Sequence, residues 1–305
     1  MRRLLWPIAA AALLAAGCSS APDREAAAEK VPDPRPMGGV LHYTEADAAA
    51  LHRAEERKVR ECMANRGFDY SVVPAGAVER STAKSPYGLL TPDLAAQDGY
   101  GLTVERLKET PADPNARRVS ALGEDERLAW EAALKGAADG PREEIEIPDG
   151  PTVSVPTDAC VTAARQALYG TSWDRNEYTL QALRNTIVQD TLDRAPVKSA
   201  ERKWAACMRD KGFAYAHRED PLKELRKRLD AAGSDEVVLR ATGREELRIA
   251  GQDADCQVEA GLAERIAGAQ KQVEKALPAA RTSVLNDFRA ARRAALERAQ
   301  ARGST

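Results

Sequence analysis

"CMANRGFDY" occupies residues 62–70, and "CMRDKGFAY" occupies residues 207–215. Aligned on their cysteines, the copies also match Glu56, Arg57 and Lys58 with Glu201, Arg202 and Lys203, and Arg66 with Lys211 keeps the charge. Identity this dense over some fifteen positions marks an internal duplication, so each half should solve the same packing problem. Thr44 followed by Glu45, Ala46 and Asp47 is an N-cap signal with an acidic first turn, and helix formers run from there to Arg66. Gly67 and Gly212 then supply the left-handed residue that stops a helix, and the following Phe can fold back onto its last turn. The phrase therefore predicts a helix stop with an apolar latch and a cysteine about one turn upstream.

Besides Cys18 there are four cysteines: Cys62, Cys160, Cys207 and Cys256. An even number favours disulfides in an exported chain, and three connectivities are open. Duplication selects Cys62–Cys160 with Cys207–Cys256, because each phrase then pairs with the next cysteine downstream. The cysteines stand singly rather than in C-x-x-C pairs, which argues against a thiol oxidoreductase and against zinc knuckles.

Arg2 and Arg3, an apolar run from Leu4 to Ala16, and the ending "LLAAGC" have the layout of an export signal. The run is too short to span a bilayer stably. Small residues before Cys18 resemble a bacterial lipobox, so residues 1–17 are expected to be a lipoprotein signal peptide and Cys18 the lipidated residue. Residues 18–40 are poor in bulky apolar groups and read as a disordered tether. The rest divides into a first helical half, 41–170, and a second, 171–305. With 45 Lys and Arg against 47 Asp and Glu in 305 residues, the balance argues against a nucleic-acid partner.

Between the first phrase and Cys160 lies an insertion that the second half lacks. It opens with "SPYGLLTPDLAAQDGYGL" at 85–102, where Thr91 and Pro92 start a short helix that Gly99 ends. Tyr87 and Tyr100 beside it can bind a ligand or pack over a neighbouring helix, and packing is the commoner use of such a Tyr-Gly turn. "LGEDERLAWEAALKG" at 122–136 is amphipathic, with Trp130 on its core face, and "EIEIPDGPTVSVP" at 144–156 predicts a β-hairpin that must pack on helices. A Cys160 disulfide would pin this insertion to the first phrase.

Ser172 to Arg194 reads as a long helix joining the halves, Pro196 breaks it, and "DPLKELRKRLDAAG" at 220–233 reads as a short charged helix. From Arg244 to Arg302 an apolar 4-4-3 stripe through Val258, Leu262, Ile266, Ala269, Val273, Phe288 and Ala295 predicts a long helix kinked at Pro278. Its last part is either a docking arm for an envelope protein or an antiparallel partner for earlier helices.

The chain has no G-x-S-x-G, H-E-x-x-H or Walker sequence, and its three histidines, His42, His52 and His217, lack nucleophile or metal-ligand spacing. No catalytic, cofactor-binding or metal-ligating residue is singled out. The lipobox, "WAACMRDKGFAY" from Trp204, "DACVTAARQALYG" from Asp158, and "DADCQVEAGL" leading into a charged helix together resemble a group of actinobacterial exported lipoproteins sharing a duplicated C-M-x-x-x-G-[FY]-x-Y motif. That resemblance implies location and architecture and assigns no activity. The expectation is a mainly helical, disulfide-stapled lipoprotein on the outer face of the cytoplasmic membrane, acting as a non-catalytic binding or accessory module. An unrecognised cell-wall-acting enzyme is the alternative.

Overall fold

A computed structural model of the chain describes residues 31–76, 85–108, 112–148 and 150–301. Cys18 and the expected signal peptide lie outside them. The fold is mainly α-helical with a single two-stranded antiparallel sheet among the described residues. Residues from Val31 onward form one compact unit.

The repeated phrase closes both of its helices in the same way. Helix α1 (Glu45–Asn65) starts at Thr44, whose hydroxyl accepts the Asp47 N–H at 3.1 Å. It ends where the Phe68 N–H reaches the Met63 carbonyl at 2.9 Å and the Gly67 N–H reaches Ala64 at 3.0 Å. The second copy ends α8 (Ala195–Asp210) with Phe213 on Met208 at 2.9 Å and Gly212 on Arg209 at 2.9 Å. This pair of bonds is a Schellman stop, and it requires the left-handed φ of 84° at Gly67 and 89° at Gly212. Met63 and Met208 are fully buried beneath the stops.

Disulfides join Cys62 to Cys160 at the start of α6 (Cys160–Tyr169) and Cys207 to Cys256 in α10 (Glu236–Glu259). The Cα separations of 5.5 and 5.6 Å are those of ordinary bridges. Around each bridge lies a related core. Trp204, Met208 and Phe213 fill the second, whereas Val59 stands at the Trp204 position in the first. Trp130 from α5 (Glu124–Lys135) supplies the missing bulk there, its indole N–H donating to the Asp69 carbonyl at 3.1 Å.

The insertion divides between the halves. Helices α4 (Ala116–Ser120) and α5 and the hairpin of β1 (Arg142–Glu146) and β2 (Thr152–Pro156) follow the first disulfide, with Ile145 paired to Val153 and buried. The earlier part docks on the second half instead. Helices α2 (Pro92–Asp98) and α3 (Leu102–Leu107) pack on α10, and α3 also meets α9 (Asp220–Ala232). Glu246 of α10 accepts the Leu102 and Thr103 N–H groups at 2.7 and 2.8 Å, satisfying the free donors at the start of α3. Gly99 permits this approach, since a Cβ there would lie 2.9 Å from the Glu246 side chain. Tyr87 and Tyr100 are both buried, as packing residues.

The segment expected to be one helix from Arg244 to Arg302 is three. Gly261, at φ 62°, separates α10 from α11 (Leu262–Lys275), and Pro278 separates α11 from α12 (Ala279–Ala301). The chain thereby folds back on itself. Helix α11 packs on α7 (Trp173–Leu192) and α8, and α12 packs on α1, α6 and α7. Phe288 and Ala295 are fully buried, so of the two alternatives for this apolar face, docking arm or partner for earlier helices, the packing shows the second. Val258, placed on that stripe, is instead half exposed.

Residues 31–40, read as the end of the tether, are docked. A 3₁₀ turn, Pro36–Gly39, buries Met37, and Val40 beside it is also buried. Met37 holds a left-handed φ of 57°, fixed by its N–H on Glu274 at 2.7 Å and its carbonyl on Arg289 at 3.1 Å.

Candidate functional site

Helices α1, α6 and α7 enclose an open cleft of about 480 Å³, within the size range of small-molecule sites. Each helix brings a stripe at one-turn spacing: Ala48, His52 and Glu55 from α1, Arg165 and Tyr169 from α6, and Trp173, Glu177 and Gln181 from α7. Tyr43, just before α1, with Leu51 and Tyr178 completes the lining.

The aromatic wall is a continuous stack. Tyr169 lies on Trp173 with centroids 4.1 Å apart, and Trp173 lies on Phe288 at 4.3 Å. Both faces of the indole are therefore occupied. The Arg292 guanidinium sits 4.0 Å over Tyr43, and it also donates to the Val40 carbonyl at 2.7 Å.

Charge in the cleft centres on Arg165. Its guanidinium pairs with Asp174 at 2.8 Å and with Glu177. Burial works against the Arg165 charge, but Asp174, Glu177 and Glu55 outweigh it and hold its pKa above the ordinary value. Burial pushes the Glu55 carboxyl up, partly offset by Arg165 and by the Tyr169 hydroxyl, which donates to Glu55 at 3.3 Å. Asp174 is raised for the same first reason, with Arg165 opposing. Burial also raises the Tyr43 phenol to about 12, with Arg292 the main opposing influence. These shifts gather in one cleft, and such clusters mark candidate sites.

His52 donates from Nε2 to the Val73 carbonyl at 2.8 Å, because a carbonyl can only accept. In the neutral ring Nδ1 is therefore an acceptor. The other two histidines lie elsewhere: His42 lines a cavity of about 340 Å³ with Arg35 and Arg184, and the His217 N–H binds Asp220 at 2.8 Å. A third cavity, about 350 Å³, lies beside Tyr87, Tyr100 and Arg218. Two of its polar groups are committed to structure, Arg218 to Glu201 at 3.0 Å and to the Tyr87 carbonyl, and Asp253 to Tyr100 at 2.7 Å.

Of the three histidines weighed in the sequence, only His52 belongs to the cleft. The four cysteines hold structure, and no group of three His, Cys, Asp or Glu converges as a metal site among the described residues. The signal for the cleft was the i, i+4 recurrence of Arg165–Tyr169 and of Trp173–Glu177–Gln181, which is too common a spacing to stand out alone. Comparison with family models, with curated proteins and with solved structures finds no match to this chain.

Proposed function

We propose that the chain is an extracytoplasmic binding module of the cell envelope, held to the membrane by lipid on Cys18, and that the cleft of α1, α6 and α7 is where it binds. The observation that carries the binding reading is that cleft, where four aromatic residues and a compact set of ionisable groups converge on a space large enough for a small molecule. The export reading is supported by the "LLAAGC" signal and by two disulfides, which persist in an oxidising compartment. No helix of the described residues is long and apolar enough to cross a membrane, and an acyl anchor needs none.

Ligand-observed NMR on the full chain in nonionic detergent tests the cleft, using a mixture of small amines, carboxylates and saccharides. The expected result is a set of binders lost when Tyr178→Ala and Gln181→Ala are combined, two partly or fully exposed positions whose change leaves the core intact. Binders retained in full by that variant would move the site elsewhere.

A further inference from the structure

The chemistry of the cleft narrows what it takes. Glu55 and Glu177 line it and Asp174 lies behind Arg165, so one guanidinium faces three carboxylates. The second nearby guanidinium, Arg292, is matched by Asp47 at 3.8 Å and by the Val40 carbonyl. The hydrogen bonds add a second observation. Nη2 of Arg165 donates to Glu177 and lies 2.8 Å from Asp174, and the Tyr169 hydroxyl donates to Glu55. Acceptor capacity is left towards the cleft in the remaining lone pairs of Glu55 and Glu177 and at Nδ1 of His52.

Shape adds a third constraint. The Trp173 indole is sandwiched between Tyr169 and Phe288, so a flat ring or sugar face cannot stack on it and a ligand meets only its edge. One face of Tyr43 already carries the Arg292 guanidinium, so Tyr178 is the aromatic wall left to a cation, which phenol rings attract through their negative faces. We propose, resting on the binding role assigned to this cleft, that its ligand is a small organic cation, an ammonium or guanidinium group on an apolar stem, with Glu55 and Glu177 as its counter-ions. Donor-rich cationic heads complete both the charge and the hydrogen bonds that the cleft leaves open. A carboxylate or phosphate ligand would add a fourth negative charge beside a single guanidinium.

The test is calorimetric titration of the full chain in nonionic detergent with 1,5-diaminopentane, with 1,5-pentanediol as its neutral counterpart and with glutarate as its anionic one. The diamine should bind, the diol and glutarate should not, and Glu55→Gln should weaken the diamine by about tenfold or more, the loss expected when a hydrogen-bonded charge partner is neutralised. Gln at 55 still accepts from Tyr169, and thermal unfolding together with both disulfides checks that the variant is folded. Should it fail to fold, Tyr178→Ala serves instead, with weaker diamine binding expected. Diol or glutarate binding as tightly as the diamine, or no diamine binding at all, would overturn the cationic assignment. If the diol binds and Tyr178→Ala abolishes that binding, the cleft remains a ligand site and only the charge class is wrong.

Discussion

Asp253 is almost fully buried, yet each of its oxygens is used. Oδ1 accepts from the Trp204 indole at 2.7 Å and from Gln257 at 3.0 Å, and Oδ2 accepts from the Tyr100 hydroxyl at 2.7 Å. Burial pushes its carboxyl above the ordinary range, and the three donors only partly offset this. Asp253→Leu strands all three donors and is expected to destabilise by on the order of 3 kcal/mol or more. Asp253→Asn keeps the Oδ1 bonds and lets the amide donate to the Tyr100 oxygen, so its cost should be about 1 kcal/mol. The pH dependence follows from the direction of the shift. A carboxyl raised in the folded state binds its proton more tightly there than in the unfolded chain. Its burial cost is therefore present above the raised pKa and is relieved as pH falls towards the unfolded value near about 4. Glu55 and Asp174 act in the same sense. Asp220, held low by the His217 N–H, and Glu245, held low by Arg248, oppose them from partly exposed positions. Unfolding midpoints across that window should show the stability gap between wild type and Asp253→Asn shifting towards wild type as pH falls; parallel profiles would show that Asp253 carries no such penalty. Asp253 was not legible in the sequence, being one of 47 acids. Its burial depends on Tyr100 and Trp204, which lie 153 and 49 residues away. Gly67 and Gly212 were legible because a helix stop is a local event.

Helix α12 shows what a pattern can and cannot settle. Its apolar stripe announces a buried face, but the stripe does not name the surface that covers it. Here the cover is α1, α6 and α7, with Phe288 stacked on Trp173 and grouped with Leu51, Ala54 and Ile187 in one core. Three arginines fix the helix from its other positions. Arg289 and Arg292 hold the Met37 and Val40 carbonyls, and Arg298 donates to the Leu168 carbonyl at the end of α6, where the helix has no N–H donor of its own to offer. Phe288→Ala is therefore expected to cost about 3 to 5 kcal/mol, measured by denaturant unfolding. A cost under about 1 kcal/mol would mean that α12 is only laid against the core. The breaks at Gly261 and Pro278 were visible as residues, whereas the reversal of direction they allow depends on long-range packing. The hairpin and α1 were readable because their signals, a turn between alternating apolar residues and a capped amphipathic run, lie within a dozen or so neighbours.

At the scale of the whole molecule, each half is completed by the other. The early insertion from the first half closes the second through Tyr100, Leu90 and the α3 contacts on α10, while α12 from the second half closes the first. Val31 to the C-terminus accordingly forms one unit, although the duplication predicts two similar ones. The disulfides span 98 and 49 residues, and in the chain-entropy picture each stabilises by roughly 4 to 5 kcal/mol. Such bridges have value only where they can form and persist, and this joins the architecture to the proposed export and anchoring at Cys18. The most direct measurement is mass spectrometry of non-reduced peptides from the chain purified out of its native membrane. The expected result is an N-terminal peptide beginning at Cys18 and carrying the mass of a diacylglyceryl group, together with linked peptides for Cys62–Cys160 and Cys207–Cys256. An unmodified Cys18 with four free thiols would contradict the account of an exported, lipid-held module.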